Sequence, residues 1–328
     1  MSVGAVITGN TVIIKPASDT PIIGYKIVEI MIEAGVPNGV INFVPGSGAE
    51  IGKTIIESKE VAGIVFTGSR EVGYRLMSES SKTKPRPVIA ELGGKNATIV
   101  TDTANLDIAA EGVAKAAFSF SGQKCSACSR VYVQRNVKSQ FLSRLVEKTK
   151  KLRVENPKER ISFVGPVINL NAYNNFKKYS KLASSHGNIL TGGSVLQSEE
   201  FRHGFYVEPT IVEGLPTSHP LLKKELFVPI LCITEYDKFD NAIKMTNESE
   251  YGLTSGIYSN NRKEILKFLQ DIEAGVVYVN RRKSSTTGAM VGRQSFGGWK
   301  DSGTTGKGTG GRYYLTQFMR EQSQNVVQ

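Results

Sequence analysis

Two cysteines in the stretch GQKCSACSR are the residues of this sequence with the clearest chemical potential. Cys125 and Cys128 have a C-x-x-C spacing, which is typical of half a zinc site, of a dithiol redox pair, or of one reactive thiol beside an unrelated cysteine. The three histidines are isolated and supply no second half for a zinc site. A thioredoxin-like pair follows a strand and opens a helix, whereas here a helix precedes the motif and a strand follows it. We therefore favour Cys125 as a single nucleophile, with no metal, and expect Cys128 to start the next strand and pack.

A carboxylate at a predicted strand end is a candidate partner for this thiol. Glu91, in the stretch ELGGKN, follows a short apolar run that is typical of a buried strand. A carboxylate in that position can serve as the general base that activates water. A solvated charge at a strand end has the same sequence signature, so the residue alone leaves both interpretations open.

Small residues after another predicted strand indicate a phosphate-binding turn. In FTGSREVG, Gly68 and Ser69 stand between a strand and a helix, and Gly73 follows one turn later. Backbone N–H groups at a helix N-terminus can bind phosphate there, although a helix start with ordinary packing glycines has the same pattern. Lys15 and Ser18 follow the first predicted strand, at the edge of the sheet where open α/β folds bind ligands.

The elements that must position these residues alternate between strand and helix signals. Short β-branched runs predict strands at 11–15, 40–44, 63–68, 88–92 and 97–100, with helices between the first four. The later part of the chain predicts further strands and helices, a glycine-rich stretch from 286 to 311 and a last strand at 313–321. This alternation is typical of an α/β fold with a parallel sheet covered by helices. The Gly93–Gly94 pair is the predicted domain boundary.

Composition and charge exclude several classes of protein. The chain has 328 residues, 40% hydrophobic and 22% charged, with no apolar run long enough to cross a bilayer, so we expect no membrane partner. Three cysteines are too few for a disulfide framework, and the N-terminal stretch lacks the basic segment of a signal peptide, which predicts a cytoplasmic location. The net charge of +11 comes from dispersed basic residues, which predicts an anionic small molecule rather than nucleic acid as the ligand.

Six motifs together resemble the aldehyde dehydrogenase superfamily. FTGSREVG, ELGGKN, GQKCSACSR, EPTIV, KELFVPIL and FGGWKDSG occur in the order and spacing of that family over nearly all of the chain. KPASDTP, CSACSRVYV and NRRKSSTTGAMVGRQSFGG are similar to the branch that oxidises L-glutamate γ-semialdehyde, the 1-pyrroline-5-carboxylate dehydrogenases. The resemblance implies a parallel-sheet NAD(P)-binding domain, incomplete at its N-terminus, over 1–93. It further implies an α/β catalytic domain over 94–311 and a C-terminal oligomerisation strand over 312–328, since full-length relatives form homo-oligomers.

The resemblance also implies roles for residues that the motifs match. Cys125 would attack the aldehyde to form a thiohemiacetal, and Glu91 would activate the water that hydrolyses the later thioester to L-glutamate, a step of proline catabolism. NAD is the implied cofactor, with NADP tolerated because Ser18 stands where many NAD-preferring relatives have a glutamate that repels a 2′-phosphate. The implied cofactor contacts are Lys15 and Ser18 for the adenosine ribose, Gly68, Ser69 and Gly73 for phosphate, and Leu92, Glu225 and Phe227 for the nicotinamide side.

The resemblance implies a substrate site as well. Ser126, Gly288 and Ala289 match the residues that anchor the carboxylate and amino end of glutamate semialdehyde, and a hydroxyl with two backbone N–H groups is a suitable anion clamp. Phe296 would pack on the aliphatic chain of the substrate, although ordinary core packing explains a phenylalanine equally well. Another aldehyde substrate is the alternative that these residues leave open.

One motif of the family has no counterpart in this sequence. Relatives carry a tryptophan-asparagine pair shortly before the equivalent of TGNTVIIKP, and its asparagine contributes to the oxyanion hole, whereas the one tryptophan here is Trp299. Loss of one such donor lowers the rate by roughly a hundredfold or more. We therefore expect a truncated or split enzyme, an inactive fragment, or a subunit that needs a separate N-terminal partner chain.

Overall fold

The computed structural model describes residues 1–282 and 294–328, which form two compact units. The first unit comprises Met1–Glu91, residues 294–296 and Lys307–Gln328. The second unit runs from Leu92 to residue 282 and includes Gly297–Gly306. Across these described ranges, no helix has both the length and the apolar character that crossing a membrane requires.

Two pairs of parallel strands, with their helices, form the first unit. β1 pairs with β2 and β3 pairs with β4, all in parallel. Proline at the first position starts α2, and the Ser69 hydroxyl caps α4. All four strand predictions before residue 93 are confirmed. The elements are α1 (Ser2–Ile7), β1 (Val12–Ile14), α2 (Pro21–Glu33), β2 (Ile41–Phe43), α3 (Glu50–Glu57), β3 (Ile64–Thr67), α4 (Arg70–Thr83) and β4 (Val88–Glu91).

The C-terminal segment corrects one prediction. The strand expected over 313–321, within the predicted oligomerisation strand 312–328, is wrong, because Leu315–Phe318 forms a 3₁₀ turn. Tyr314 and Phe318 are four residues apart, a helical spacing, and their ring centroids lie 5.3 Å apart. Both rings pack where a side chain on Gly4 of α1 would stand, at 3.0–3.1 Å from an ideal Cβ position. The segment is therefore held by α1, which the sequence did not predict.

A seven-stranded sheet forms the centre of the second unit. Its order is β12-β11-β5-β6-β9-β8-β7, parallel throughout except for β7, which runs antiparallel to β8. A short antiparallel pair, β10 with β13, completes the strands. The strands are β5 (Asn96–Val100), β6 (Cys128–Gln134), β7 (Asn188–Thr191), β8 (Thr210–Glu213), β9 (Ile230–Tyr236), β10 (Tyr251–Gly252), β11 (Thr254–Tyr258), β12 (Val276–Val279) and β13 (Trp299–Lys300). The helices are α5 (Leu106–Phe118), α6 (Lys138–Lys150), α7 (Leu170–His186), α8 (Pro220–Lys223), α9 (Phe239–Asn247) and α10 (Arg262–Asp271).

The buried apolar side chains are concentrated in this sheet. Within the described residues, all three clusters of buried apolar side chains belong to the second unit. Phe118 of α5 and Phe141 of α6 are completely buried in the largest cluster. In the first unit, by contrast, Ile22 and Ile23 of α2 are 77% and 61% exposed. The loop that carries the two cysteines lies between α5 and β6 and is thus set on the well-packed unit.

Candidate active site

A left-handed turn leads from α5 into the cysteine loop. Phe120, Ser121 and Gly122 have φ angles of 56°, 56° and 65°, a region that costs a residue with a side chain about 1–2 kcal/mol. The Ser121 hydroxyl donates to the carbonyl of Gly165 at 2.7 Å. A Cβ on Gly122 would stand 2.9 Å from the backbone of Val228, so only glycine fits against that strand end. The surroundings therefore hold the chain in a strained path just before Cys125.

The two cysteines of the C-x-x-C spacing have different surroundings, as predicted. Cys125 lies in the loop and is partly exposed, whereas Cys128 begins β6 and is buried. The Cys128 sulfur lies 3.3 Å from the Thr98 hydroxyl, and burial raises the pKa of Cys128 to about 11. Cys232 of β9 is also a buried free thiol, and burial raises its pKa. Cys125 is thus the thiol that a small molecule in solution can reach.

The two glycines of ELGGKN give room to neighbouring polar groups. A Cβ on Gly93 would overlap the carboxylate of Glu225, and a Cβ on Gly94 would stand 2.5 Å from the carbonyl oxygen of Cys125. The backbone N–H of Gly94 donates to Glu225 Oε1 at 2.9 Å. Three segments that are distant in sequence therefore meet in the second unit: the start of β5, the cysteine loop and the segment before β9.

Buried polar side chains fix this meeting point from two sides. Asn96 donates from Nδ2 to the carbonyls of Cys125, at 2.7 Å, and Ala127, at 2.9 Å. Ser302 is fully buried, accepts a hydrogen bond from the Leu92 N–H at its carbonyl, and donates from its hydroxyl to the Gly93 carbonyl at 2.7 Å. Neither residue was among the predicted site residues. The spacing of the motifs ELGGKN and FGGWKDSG contains no signal for these contacts.

An exposed aromatic residue, Phe227, follows Glu225 two positions later in the chain. Phe227 is 44% exposed and has a φ of 55°, an unfavourable conformation for a residue with a side chain. Residues in such strained conformations are concentrated at ligand sites, where the surrounding structure imposes them. Ser126, next to Cys125, is 9% exposed.

Lys124 lies directly before Cys125 in the chain. Its Nζ is 3.2 Å from the Ser119 hydroxyl and 5.8 Å from the ring centroid of Phe120. Burial lowers the pKa of Lys124, and the nearby charge of the Cys125 thiolate opposes that shift. Lys124, Glu225 and Phe227 also line one small cavity. The second unit thus combines a thiol, an amine, a carboxylate and an exposed ring.

The first unit holds the predicted phosphate turn and the predicted base. Ser69 caps α4, where its hydroxyl accepts from the Val72 N–H at 3.4 Å, and Gly68 donates from its N–H to the carbonyl of Glu91 at 3.2 Å. A Cβ on Gly68 would overlap the Phe66 ring, and Gly73 is buried one turn into the helix. Gly68 and Glu91 are therefore neighbours at the carboxyl ends of β3 and β4.

The remaining predicted residues lie apart from these contacts. Lys15 follows β1 and donates to the Gly46 carbonyl at 3.3 Å, and Ser18 is exposed. Phe296 is half-buried in the first unit, where its backbone pairs with Thr309. Gly288 and Ala289 lie outside the described residues. In the part of the chain that the structure describes, no three histidine, cysteine or acidic side chains are grouped as a metal site requires.

Comparison with known proteins supplies the family. Residues 1–324 match the model of the aldehyde dehydrogenase family. The chain belongs to this family. A 1-pyrroline-5-carboxylate dehydrogenase of Anoxybacillus flavithermus is 43% identical over 319 residues, which cover 96% of this chain and 61% of the relative. The chain thus spans about three fifths of the length of that relative.

Solved structures of the family have the same fold. The structure of 1-pyrroline-5-carboxylate dehydrogenase from Thermus with bound NAD is 37% identical and matches with a TM-score of 0.90, over 96% of this chain and 60% of the other. Betaine aldehyde dehydrogenase from Staphylococcus aureus, in complex with NAD+, is 28% identical with the same TM-score, over 96% of this chain and 61% of the other. The prediction of an α/β fold of the aldehyde dehydrogenase type is confirmed.

Proposed function

We propose that this chain carries the reactive residues of an NAD-dependent dehydrogenase that oxidises L-glutamate γ-semialdehyde to L-glutamate. The observation that supports it most directly is the partly exposed Cys125 in a loop whose backbone accepts a hydrogen bond from Asn96 of ELGGKN, a motif that is itself bonded to Glu225 and to Ser302 of FGGWKDSG. The 43% identity to a 1-pyrroline-5-carboxylate dehydrogenase supports the choice of substrate.

The proposed chemistry divides one oxidation into two steps on this chain's residues. The Cys125 thiolate adds to the aldehyde carbon and gives a thiohemiacetal, whose oxidation leaves a thioester on the sulfur. Glu91 takes a proton from water, the hydroxide attacks the thioester carbonyl, and the carboxylic acid leaves as the thiol is released. When bound, NAD would supply the oxidant for the first step by taking up a hydride at its nicotinamide ring.

The described residues fit a dinucleotide in two separate regions. In the first unit, Ser69 and Gly68 present the N-terminus of α4 to a phosphate, and Lys15 with Ser18 would contact the adenosine ribose. In the second unit, the Glu225 carboxylate can accept hydrogen bonds from ribose hydroxyls, and the exposed Phe227 ring offers a flat apolar surface. The Leu92 N–H is already bonded to Ser302, so a backbone contact from Leu92 to the cofactor would use its carbonyl oxygen.

Substrate selectivity is assigned to the residue after the nucleophile. We propose that the Ser126 hydroxyl, with Gly288 and Ala289, binds the carboxylate of the substrate and that Phe296 packs on its aliphatic part. Replacement of Ser126 by alanine should raise KM for glutamate semialdehyde and leave KM for an uncharged aldehyde such as propanal unchanged. Equal changes for both aldehydes would favour a different natural substrate.

The nucleophile is tested by assaying NADH formation from glutamate semialdehyde. Cys125→Ser should remove turnover, since an alcohol is a far weaker nucleophile than a thiolate, while Cys128→Ser should retain most of it. Turnover that survives Cys125→Ser contradicts the proposal, and loss in both variants indicates a dithiol mechanism. We also propose that full activity needs a polypeptide equivalent to the rest of the relatives' length. A normal turnover rate for the purified chain alone would exclude that dependence.

A further inference from the structure

The side chain of Asn96 connects the nucleophile loop to two strands of the sheet. Both hydrogens of its amide are used, one for the Cys125 carbonyl and one for the Ala127 carbonyl. Its Oδ1 accepts from the backbone N–H of Thr254 in β11 at 3.0 Å. One amide therefore links the start of β5, the cysteine loop and β11.

The strand ladder is interrupted at this point, which explains the need for such a link. Along β5 and β6, Asn96 is paired with Cys128, but the next pair is Ala97 with Arg130, so Ser129 is skipped. An irregular register leaves backbone groups without ladder partners. The Asn96 amide supplies hydrogen bonds to the backbone directly before that irregularity.

Because Asn96 is buried, its hydrogen bonds contribute strongly to the conformation of the cysteine loop. Asn96 is 5% exposed, so water does not compete well for its partners. A buried carbonyl that loses its hydrogen-bond donor is destabilising, and here two carbonyls depend on the same amide group. Gly94 keeps the space open, because a Cβ there would stand 2.8 Å from Asn96 Oδ1.

We propose that Asn96 is a positioning residue that sets the direction of attack of the Cys125 thiol. Residues 124–127 form a turn that is closed by the hydrogen bond from the Ala127 N–H to the Lys124 carbonyl at 3.0 Å. With the Cys125 carbonyl held on the buried side, the peptide plane after Cys125 is fixed. The side-chain torsion then determines where the sulfur lies. We make this inference on top of the proposed function, in which Cys125 is the nucleophile.

Acylation of the thiol by p-nitrophenyl acetate tests this inference without aldehyde or NAD. Wild-type chain should release a burst of p-nitrophenolate that Cys125→Ser removes. Asn96→Asp keeps the acceptor for the Thr254 N–H but replaces the two donors by an oxygen. Its acylation rate constant should fall about tenfold or more, because reactions at a positioned atom lose up to a hundredfold for a displacement of about 1 Å. The burst amplitude should stay near one per chain.

The split between rate and amplitude separates positioning from unfolding. A variant that is partly unfolded loses amplitude, whereas a misdirected thiol keeps the amplitude and reacts slowly. Asn247→Asp is the matched control, since Asn247 bridges the Asp271 carbonyl at 2.8 Å and the Glu273 N–H at 2.9 Å in the same unit. Its acylation rate should equal that of wild type. If Asn96→Asp unfolds, Asn96→Ser, which lacks the charge, replaces it.

Each outcome has a distinct meaning. A wild-type acylation rate in Asn96→Asp, with full amplitude, overturns the positioning role and leaves Cys125 as the nucleophile. The same rate loss in Asn247→Asp also overturns it, because the effect would then be general. A burst that persists in Cys125→Ser, or no burst in wild type, contradicts the proposed function together with this inference.

Discussion

In the second unit, α5 and α6 bury Phe118, Phe141 and Leu145 completely, whereas in the first unit α2 leaves Ile22 and Ile23 more than half exposed. The difference follows from the sheets, because seven bonded strands offer a continuous surface and two separate pairs do not. The family match covers residues 1–324 and thus both units, whereas the buried apolar clusters of the described residues lie in the second unit. The residues proposed to bind adenosine and phosphate thus lie in the less well-packed unit, and Cys125, the proposed nucleophile, lies in the better-packed one.

The largest effect on stability is expected from removing a buried aromatic ring of the second unit. Phe118→Ala should lower the free energy of unfolding of that unit by about 3–5 kcal/mol, because it removes a fully buried aromatic side chain and leaves a cavity. Ile22 lies in the first unit and is 77% exposed, so Ile22→Ala should change the free energy of unfolding of the first unit by roughly 0.5 kcal/mol or less. Urea unfolding with hydrogen exchange, which resolves the two units, measures both. Equal losses would mean that α2 is covered in solution.

Next in size is a pH effect within the second unit. Lys95 is fully buried, its Nζ has no hydrogen-bond partner among the described residues, and burial lowers its pKa to about 8 from the ordinary 10.5. Because the folded-state pKa is depressed, the unfolded chain binds more protons between pH 8 and 10.5, and stability rises with pH through that window. Lys95→Met should therefore stabilise the unit by up to about 3 kcal/mol at pH 7.

The pH dependence distinguishes this effect from simple repacking. Unfolding free energies of wild type and Lys95→Met should differ most below pH 8 and converge towards pH 10.5, as the lysine becomes neutral in both states. Leu231→Ala, at a completely buried side chain of the same unit that carries no titratable group, is the control. If the difference in unfolding free energy between Lys95→Met and wild type does not change with pH, the lowered pKa of Lys95 in the folded state is contradicted.

The smallest effects are expected from two helix glycines that compare packing directly. A Cβ on Gly112 of α5 would overlap the Tyr258 hydroxyl, so Gly112→Ala should destabilise the second unit by about 1–3 kcal/mol. Gly52 of α3 has no atom within 4 Å of an added Cβ, and Gly52→Ala should stabilise the first unit by roughly 0.5–1 kcal/mol. Thermal unfolding of both variants provides the test, and a loss in Gly52→Ala would show that α3 is packed against something.

Local patterns predicted most of the elements but few of the connections between them. Every strand expected before residue 134 is present, and so is the order of helix, cysteine loop and strand around Cys125. The sequence pattern does not predict helix α7, because its buried residues include one large apolar side chain. These buried residues are Ala172, Phe176, Ser180 and Ala183. The C-terminal strand was wrong, because its aromatic residues pack in a turn against α1.

The anchors of the candidate site illustrate why the rest could not be predicted. The Gly93–Gly94 pair indicates that another group packs closely against the backbone there. Nothing in the spacing identifies that group as Glu225 or the Cys125 carbonyl. Asn96 and Ser302 form their bonds with residues that are distant along the chain. Such contacts arise from the order of strands in the sheet, which periodicity does not encode.

The hydrogen bond from Thr254 to Asn96 has a consequence for how the protein matures on the ribosome. Thr254 and Ser302 are made long after Cys125, and at 5–20 residues per second this delay is on the order of ten seconds. During that time Asn96, which binds the Cys125 carbonyl, lacks its hydrogen bond from Thr254 in β11. If Asn96 aligns the Cys125 thiol as proposed, that alignment is complete only after β11 has been made, and a product terminated before Thr254 would retain the thiol without it.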